Sequence, residues 1–384
     1  MRRAQGAGSR AMQSAVRADA LSSLELIGEV LNPEAPRASS GDPMGARARA
    51  VDWPLVVVLA SRHLVTPALH TRFGDVGLMA YLDDELLQYF RTITELNRAR
   101  NRRIRIQLEH LVSALCAFGI EPVLLKGAAH LLLGLYRDDA DRAIGDIDIL
   151  VPQQQCEETL GVLHELGYAP HVGQLEHAHL HHYPPLARPD SEAWVELHKV
   201  ASPCQRALPS GELISRARKI RIGHGSAAVP CPEDLVVHNV VHSQLHNRGF
   251  WSVEFALRDA YDLVLLTRHF ADELDWSRLA ARIEDDVGKH RAGFYVRLSH
   301  CLFGQNPPPL AWPLGARLAD WRWRLHAQGR MLWLQRTTRV MAYELGLVSE
   351  IIHNPAWRRR PIRRLLDPRW YRQHLGRVRA ATEG

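Results

Sequence analysis

The apolar residues of this chain change period midway along it, and that change sets what it can fold into. Pro122–Leu125, Ile147–Val151 and Trp194–Val200 are short runs in which apolar side chains are contiguous or alternate, the pattern of buried strands. Between them, Ala128–Tyr136 and Glu157–Leu166 repeat at helical spacing, the second ended by Gly167. Strands and helices interleaved in this way predict an α/β unit over residues 120–231.

Both flanks read as helical. Asp52 is placed to cap a helix that begins at Trp53 and Pro54, where proline is tolerated in the first turn. A longer helix, about Asp84 to Phe118, carries Leu86, Phe90, Ile104, Leu108, Leu111 and Leu115 on one side and many Arg on the other, and Gly119 ends it. Residues 51–119 are therefore expected to form an N-terminal helical region. After Pro232 the helical period returns over Asp234–His246, Val253–Phe270, Trp276–Glu284 and Gly288–Leu302. Beyond the Pro-rich break at Asn306–Pro309 it runs on to about Glu350, which gives a C-terminal helical region over 232–350. Residues 1–50 read as a flexible leader and linker, because 32–50 are rich in Pro, Gly, Ser and Ala without an apolar period. The leader has no apolar core of the kind a secretory signal needs.

Charge placement narrows the function. The chain has 384 residues and a net charge of +6, but the tail over 351–384 holds nine Arg from Arg358 to Arg379 against Asp367 and Glu383. Everything before that tail is close to neutral, which disfavours a protein built to grip a nucleic-acid backbone. Arginines interleaved with Trp357, Trp370 and Tyr371 leave a local nucleic-acid contact as the lesser reading beside a helix packed on the body. The five cysteines are scattered and form no C-x-x-C pair, so neither a disulfide framework nor a thiolate zinc site is expected, and a cytoplasmic setting is. No apolar stretch approaches the roughly 20 residues of a membrane span.

The chemistry concentrates in Arg142-Ala-Ile-Gly-Asp146-Ile-Asp148-Ile-Leu-Val151. Alternation on a strand puts Asp146 and Asp148 on one face and Ile147, Ile149 and Val151 on the other. Two adjacent carboxylates repel, and a divalent cation such as Mg²⁺ completed by substrate phosphates relieves that repulsion. Lys126-Gly127 falls between a strand and a helix, where backbone N–H groups favour an anion, and Lys126 adds a charge for phosphate. Arg142 is placed to fork onto a phosphate or to lock the two carboxylates. In Trp194-Val-Glu196-Leu-His198, alternation sets Trp194, Glu196 and His198 on one face. Should that strand pair beside the aspartates, three acids converge, as two-metal phosphoryl transfer requires.

These residues carry a resemblance. Leu124-Leu-Lys126-Gly127-Ala-Ala, Tyr136, Arg142, Gly-Asp146-Ile-Asp148 and Val-Glu196-Leu-His198 resemble the uncharacterised bacterial nucleotidyltransferase family of the DNA-polymerase-β-like superfamily. Trp53–Leu69 is similar to that family's leading helix, and Pro232-Glu-Asp-Leu, His242, Leu257-Arg-Asp259, Asp262-Leu and Asp275-Trp276 to its helical C-terminal part. The resemblance implies an α+β fold: a mixed sheet flanked by helices, with further helical regions at both ends. It also implies Mg²⁺ ions on Asp146 and Asp148, with Glu196 as third carboxylate, and Lys126, Gly127 and Arg142 beside the nucleotide. The expected activity is transfer of a nucleoside monophosphate from an NTP to an acceptor hydroxyl on a small molecule, peptide or protein. The wider superfamily usually has Gly-Ser at the phosphate turn, whereas Ala128 follows Gly127 here. A noncatalytic nucleotide-binding or interaction protein on the same fold is therefore the alternative.

Histidines give another alternative. His164, His171, His177, His179, His181 and His182 crowd one segment, and His238, His242 and His246 recur every four residues. A histidine-rich metal-binding protein is one reading of these runs; a polar rim and a helix face turned to a cleft or to solvent is the preferred one.

Overall fold

Residues 20–38, 42–170, 181–247, 249–252 and 255–328 are described by a computed structural model of the protein. Its strands are β1 (Val123–Leu124), β2 (Asp146–Leu150), β3 (Ala169–Pro170), β4 (Leu186–Ala187), β5 (Trp194–His198), β6 (Arg218–Ile222) and β7 (Gly225–Val229). They form one mixed sheet in the order β3-β4-β5-β2-β1-β7-β6. At its centre β2 and β5 run parallel, with Asp146 opposite Trp194 and Asp148 opposite Glu196. β1 lies antiparallel to β2 and parallel to β7. Ile147, Ile149, Val195 and Leu197 are fully buried on one face of the central pair, which leaves the acids to the other. The result is an α+β fold of a mixed sheet with flanking helices, as expected.

Among the described residues, five α-helices precede the sheet: α1 (Ala20–Leu31), α2 (Pro43–Ala50), α3 (Trp53–Arg62), α4 (Thr66–Val76) and α5 (Asp84–Ala117). The first two lie where the sequence suggests leader and linker. In α1, Leu26, Ile27, Val30 and Leu31 are buried in the main core. A Cβ on Gly28 would meet the Leu302 carbonyl oxygen at 2.2 Å, so a glycine lets this helix sit directly on the backbone of a later one. In α2, Asp42 caps the Gly45 N–H at 2.7 Å, proline occupies the first turn, and Met44 and Ala48 are buried. One short Ala- and Arg-rich helix has too few apolar residues to show a period, which is why composition reads it as linker.

The long α5 begins at an Asp83 cap on the Leu86 N–H and lays Ile104, Leu108, Leu111, Val112 and Leu115 into the core beside β7. Its polar residues then fix the loop before β2. Asn97 and Asn101 donate to the carbonyls of Ala140, Asp139 and Arg142, and Gln107 bonds Tyr168 and both backbone groups of Ala193 at the start of β5. One helix therefore positions both acid-bearing strands.

After β1, α6 (Lys126–Leu133) starts at Lys126, two residues earlier than the sequence spacing suggests. The helices α7 (Cys156–Glu165) and α8 (Ser210–Arg216) then intervene before β7. Beyond β7 come α9 (Pro232–Val241), a π-helical turn over His242–His246, α10 (Gly249–Ser252), α11 (Leu257–His269), α12 (Trp276–Ile283), α13 (Lys289–Leu302) and α14 (Leu314–Ala327). The β6–β7 hairpin has no counterpart in the sequence reading, because Gly225-Ser-Ala-Ala-Val229 is poor in strand-forming side chains. The Arg-rich tail, the helical period beyond 328, and His171, His177 and His179 lie outside the described residues.

Candidate active site

The strand pairing on which the three-acid grouping depends is present. Asp146 and Asp148 project from one face of β2, and the parallel register sets Glu196 of β5 directly beside Asp148. One ligand atom each from Asp148, Glu196 and His198 lies within 4.8 Å of the other two, the one such convergence of potential metal ligands among the described residues. Asp148 is fully buried, and Asp146 and Glu196 are half-buried.

Each oxygen of Asp148 has a different environment. Oδ1 accepts from Lys126 Nζ at 2.7 Å and lies 2.7 Å from His198 Nε2. Oδ2 is buried, with no hydrogen-bond partner among the described residues. Burial pushes the Asp148 carboxyl up, but the Lys126 ammonium and the His198 bond outweigh it and hold the group well below the usual carboxylate range. Its neighbours go the other way. The charge of Asp148, then burial, raises Asp146, against the pull of Lys126, Arg258 and Arg142. Burial first, then Asp148 and Asp146, push Glu196 up to about 7. Lys126 loses from burial but gains more from Asp148, and its ammonium is raised. Asp146 and Glu196 are both raised despite these cations, so uncompensated negative charge remains, which a divalent cation relieves. A buried orphan carboxylate oxygen beside two further acids fits the donor chemistry of such an ion.

Lys126 stands at the first position of α6 with φ 45°, a left-handed conformation uncommon for a residue with a side chain. This turn aims the ammonium back at β2 instead of out along the helix. Gly127 follows for a steric reason: a Cβ there would meet Arg142 Nη1 at 2.4 Å.

Arg142 lines a cleft beside Lys126 but is held by a partner the sequence does not suggest. Its guanidinium bonds neither Asp146 nor Asp148; it forks onto Asp262 of α11, Nε at 3.0 Å and Nη2 at 2.8 Å, and the pair is buried. Tyr136 also donates to Asp262 at 2.5 Å. Burial alone would raise Asp262, but Arg142 and then His130 hold it well below the usual carboxylate range. Arg142 is thus a strut between the β2 loop and the C-terminal helices.

The cleft is open to solvent and is lined by Lys126, Arg142, His238, His242, Arg258 and Asp262, among others, and Lys126 links it to Asp148. Arg258, which the sequence reading passes over, is the less committed arginine there. Its closest partners are Asp259 at 3.2 Å and the Ala143 carbonyl at 3.5 Å, and its side chain is 26% exposed against 8% for Arg142. Its position directly before Asp259 and four residues before Asp262 was the available signal.

The histidine face of α9 and its π-helical extension turns to the cleft. His238, His242 and His246 line a second, smaller hollow with Lys126, His181 and His198. Burial, then Lys126, pushes His242 down to about 4; burial and neighbouring imidazoles push His181 down to about 2. The π-turn stacks His242 on His246 with ring centroids 5.3 Å apart, and such turns recur at functional sites.

The sequence model of a family described as an uncharacterised nucleotidyltransferase matches residues 49–304, from the approach to α3 through α13. No curated protein and no solved structure matches the chain at a comparable standard. With two thirds of its length matched, sheet and acid-bearing strands included, the chain belongs to this nucleotidyltransferase family.

Proposed function

We propose that this protein transfers a nucleoside monophosphate from an NTP to an acceptor hydroxyl, using Mg²⁺ or a related divalent ion held by Asp146, Asp148 and Glu196. In this reaction the acceptor oxygen forms a bond to the α-phosphorus, the bond from that phosphorus to the β-phosphate oxygen breaks, pyrophosphate leaves, and the acceptor proton passes to water. The reading is carried by one observation: Asp146, Asp148 and Glu196 share one face of two adjacent parallel strands, and the buried Oδ2 of Asp148 has no hydrogen-bond partner among the described residues.

Bound ions supply Lewis-acid charge at the attacking and leaving oxygens. The chain's own residues do the rest. Lys126 neutralises Asp148 and lines the cleft, where a triphosphate brings further negative charge. Arg258 takes the phosphate-fork role that the sequence assigns to Arg142, since Arg142 is already doubly bonded to Asp262. Asp262 and Arg142 keep α11, and with it Arg258, against the loop that leads into β2. Preorganised charge of this kind lowers the barrier without rearrangement during the reaction.

The test is calorimetry of the full chain with each NTP and Mg²⁺. Saturable, Mg²⁺-dependent binding that needs the triphosphate supports the reading. Binding of nucleosides as tight as that of triphosphates would overturn it.

A further inference from the structure

Asp148 faces two kinds of neighbour. Asp146, on the same face of β2, brings carboxylate oxygens alone. Toward β5 the donors are mixed, because Glu196 brings a carboxylate and His198 an imidazole. His198 Nε2 lies 2.7 Å from Asp148 Oδ1 and 3.9 Å from Glu196 Oε2. The other ring nitrogen, Nδ1, is 3.4 Å from the Val200 carbonyl, a backbone contact of the type that orients metal-binding imidazoles. Lys126 already occupies Oδ1, which leaves the buried, partnerless Oδ2 as the oxygen available to an ion.

From this geometry we propose that Asp148, Glu196 and His198 form a transition-metal position, with His198 Nε2 as its nitrogen ligand, that takes Mn²⁺ in preference to Mg²⁺. The location rests on the three-carboxylate reading above; the metal preference does not. Mg²⁺ is a hard ion that favours oxygen ligands in a near-ideal octahedron and keeps its water. An imidazole in the donor set shifts affinity toward first-row transition ions. A purely acidic cluster would bind Mn²⁺ without any nitrogen coupling. His182 stands beside His198, ring centroids 5.5 Å apart, its Nε2 3.9 Å from Glu196 Oε2, while its Nδ1 donates to the Tyr183 carbonyl at 2.6 Å. It serves as the internal comparison, an imidazole close to the same carboxylate but outside the converging group.

The experiment uses the full chain with Mn²⁺ alone and no nucleotide, read by calorimetry and by pulsed electron paramagnetic resonance. Mn²⁺ is expected to bind at least about tenfold more tightly than Mg²⁺ and to show nitrogen hyperfine coupling. His198→Gln should lose the coupling and weaken Mn²⁺ by about 10–100-fold while changing Mg²⁺ affinity by only a few-fold. His182→Gln should keep the coupling. The proposal is overturned by an oxygen-only Mn²⁺ spectrum in the wild type, by equal affinity for Mg²⁺, by coupling that survives His198→Gln, or by failure to bind Mn²⁺. The wild-type spectrum decides even if His198→Gln does not fold. Nitrogen-coupled Mn²⁺ without NTP binding would remove the transfer reading and leave the metal position standing. NTP binding with an oxygen-only spectrum would do the reverse.

Discussion

Lys126 Nζ and His198 Nε2 both lie 2.7 Å from the same oxygen of Asp148. The two aspartates of β2 therefore play opposite parts in the stability of the metal-free protein. Asp148 is the counter-charge for a part-buried lysine, and Asp146 is raised chiefly by its repulsion from Asp148. Asp148→Asn should destabilise the protein by about 2–4 kcal/mol, because an ammonium loses its partner. Asp146→Asn should leave stability unchanged or raise it. Denaturant unfolding of the two variants without metal checks the contrast, and equal losses would contradict it.

The two arginines of the cleft separate in the same way. Arg142→Gln breaks a buried pair and should cost about 3–5 kcal/mol of stability. Arg258→Gln should cost under about 1 kcal/mol, because Arg258 is partly exposed and loosely held, yet weaken triphosphate binding about tenfold. Thermal melts paired with NTP titrations distinguish them. A triphosphate affinity unchanged in Arg258→Gln would remove that residue from the site.

Asp141, in the loop held by Asn97 and Asn101, gives a pH signature. Burial pushes its carboxyl up to about 7, against the bond it accepts from Thr71 Oγ1 at 2.8 Å. The folded state therefore retains this proton while the unfolded chain loses it near pH 4. Stability should then fall as pH rises from about 4 to about 7, by at most about 1.4 kcal/mol per pH unit from this group, and level off above. Asp141→Asn should flatten that slope, so the variant gains on the wild type between about pH 5 and pH 8. Parallel urea curves at the two pH values, with no difference between variant and wild type, would contradict it.

Glu196 should act mainly on the chemical step. With any acceptor that supports turnover, Glu196→Gln is expected to lower kcat by about 100-fold or more while NTP affinity changes only a few-fold. Pyrophosphate release against NTP concentration reads both quantities.

What the sequence showed and what it hid follow from the range of the interactions. Alternation on β2 and β5 placed Asp146, Asp148, Glu196 and His198 on their faces, because strand geometry is local. The parallel pairing that joins those faces is not local, and the resemblance of the motifs implied only that Glu196 joins the aspartates. The Arg142–Asp262 pair was hidden because Asp262 lies 120 residues away on a helix whose docking no spacing encodes. The role of His198 was hidden for a similar reason: its proximity to Asp148 depends on the register of two strands 50 residues apart. The helices α1 and α2 were hidden because one is short and the other rests on a glycine contact with a distant backbone.

The central claim is that the acids of β2 and β5 bind a nucleoside triphosphate through a divalent ion. Asp146→Asn tests it most directly, since that variant is expected to fold at least as well as the wild type, so a loss of binding reports on the site alone. Calorimetric titration of both proteins with NTP and Mg²⁺ should show saturable binding in the wild type and a loss of about 100-fold or more in the variant. Equal affinity in the two proteins, or no binding of any NTP to the wild type, would contradict the account.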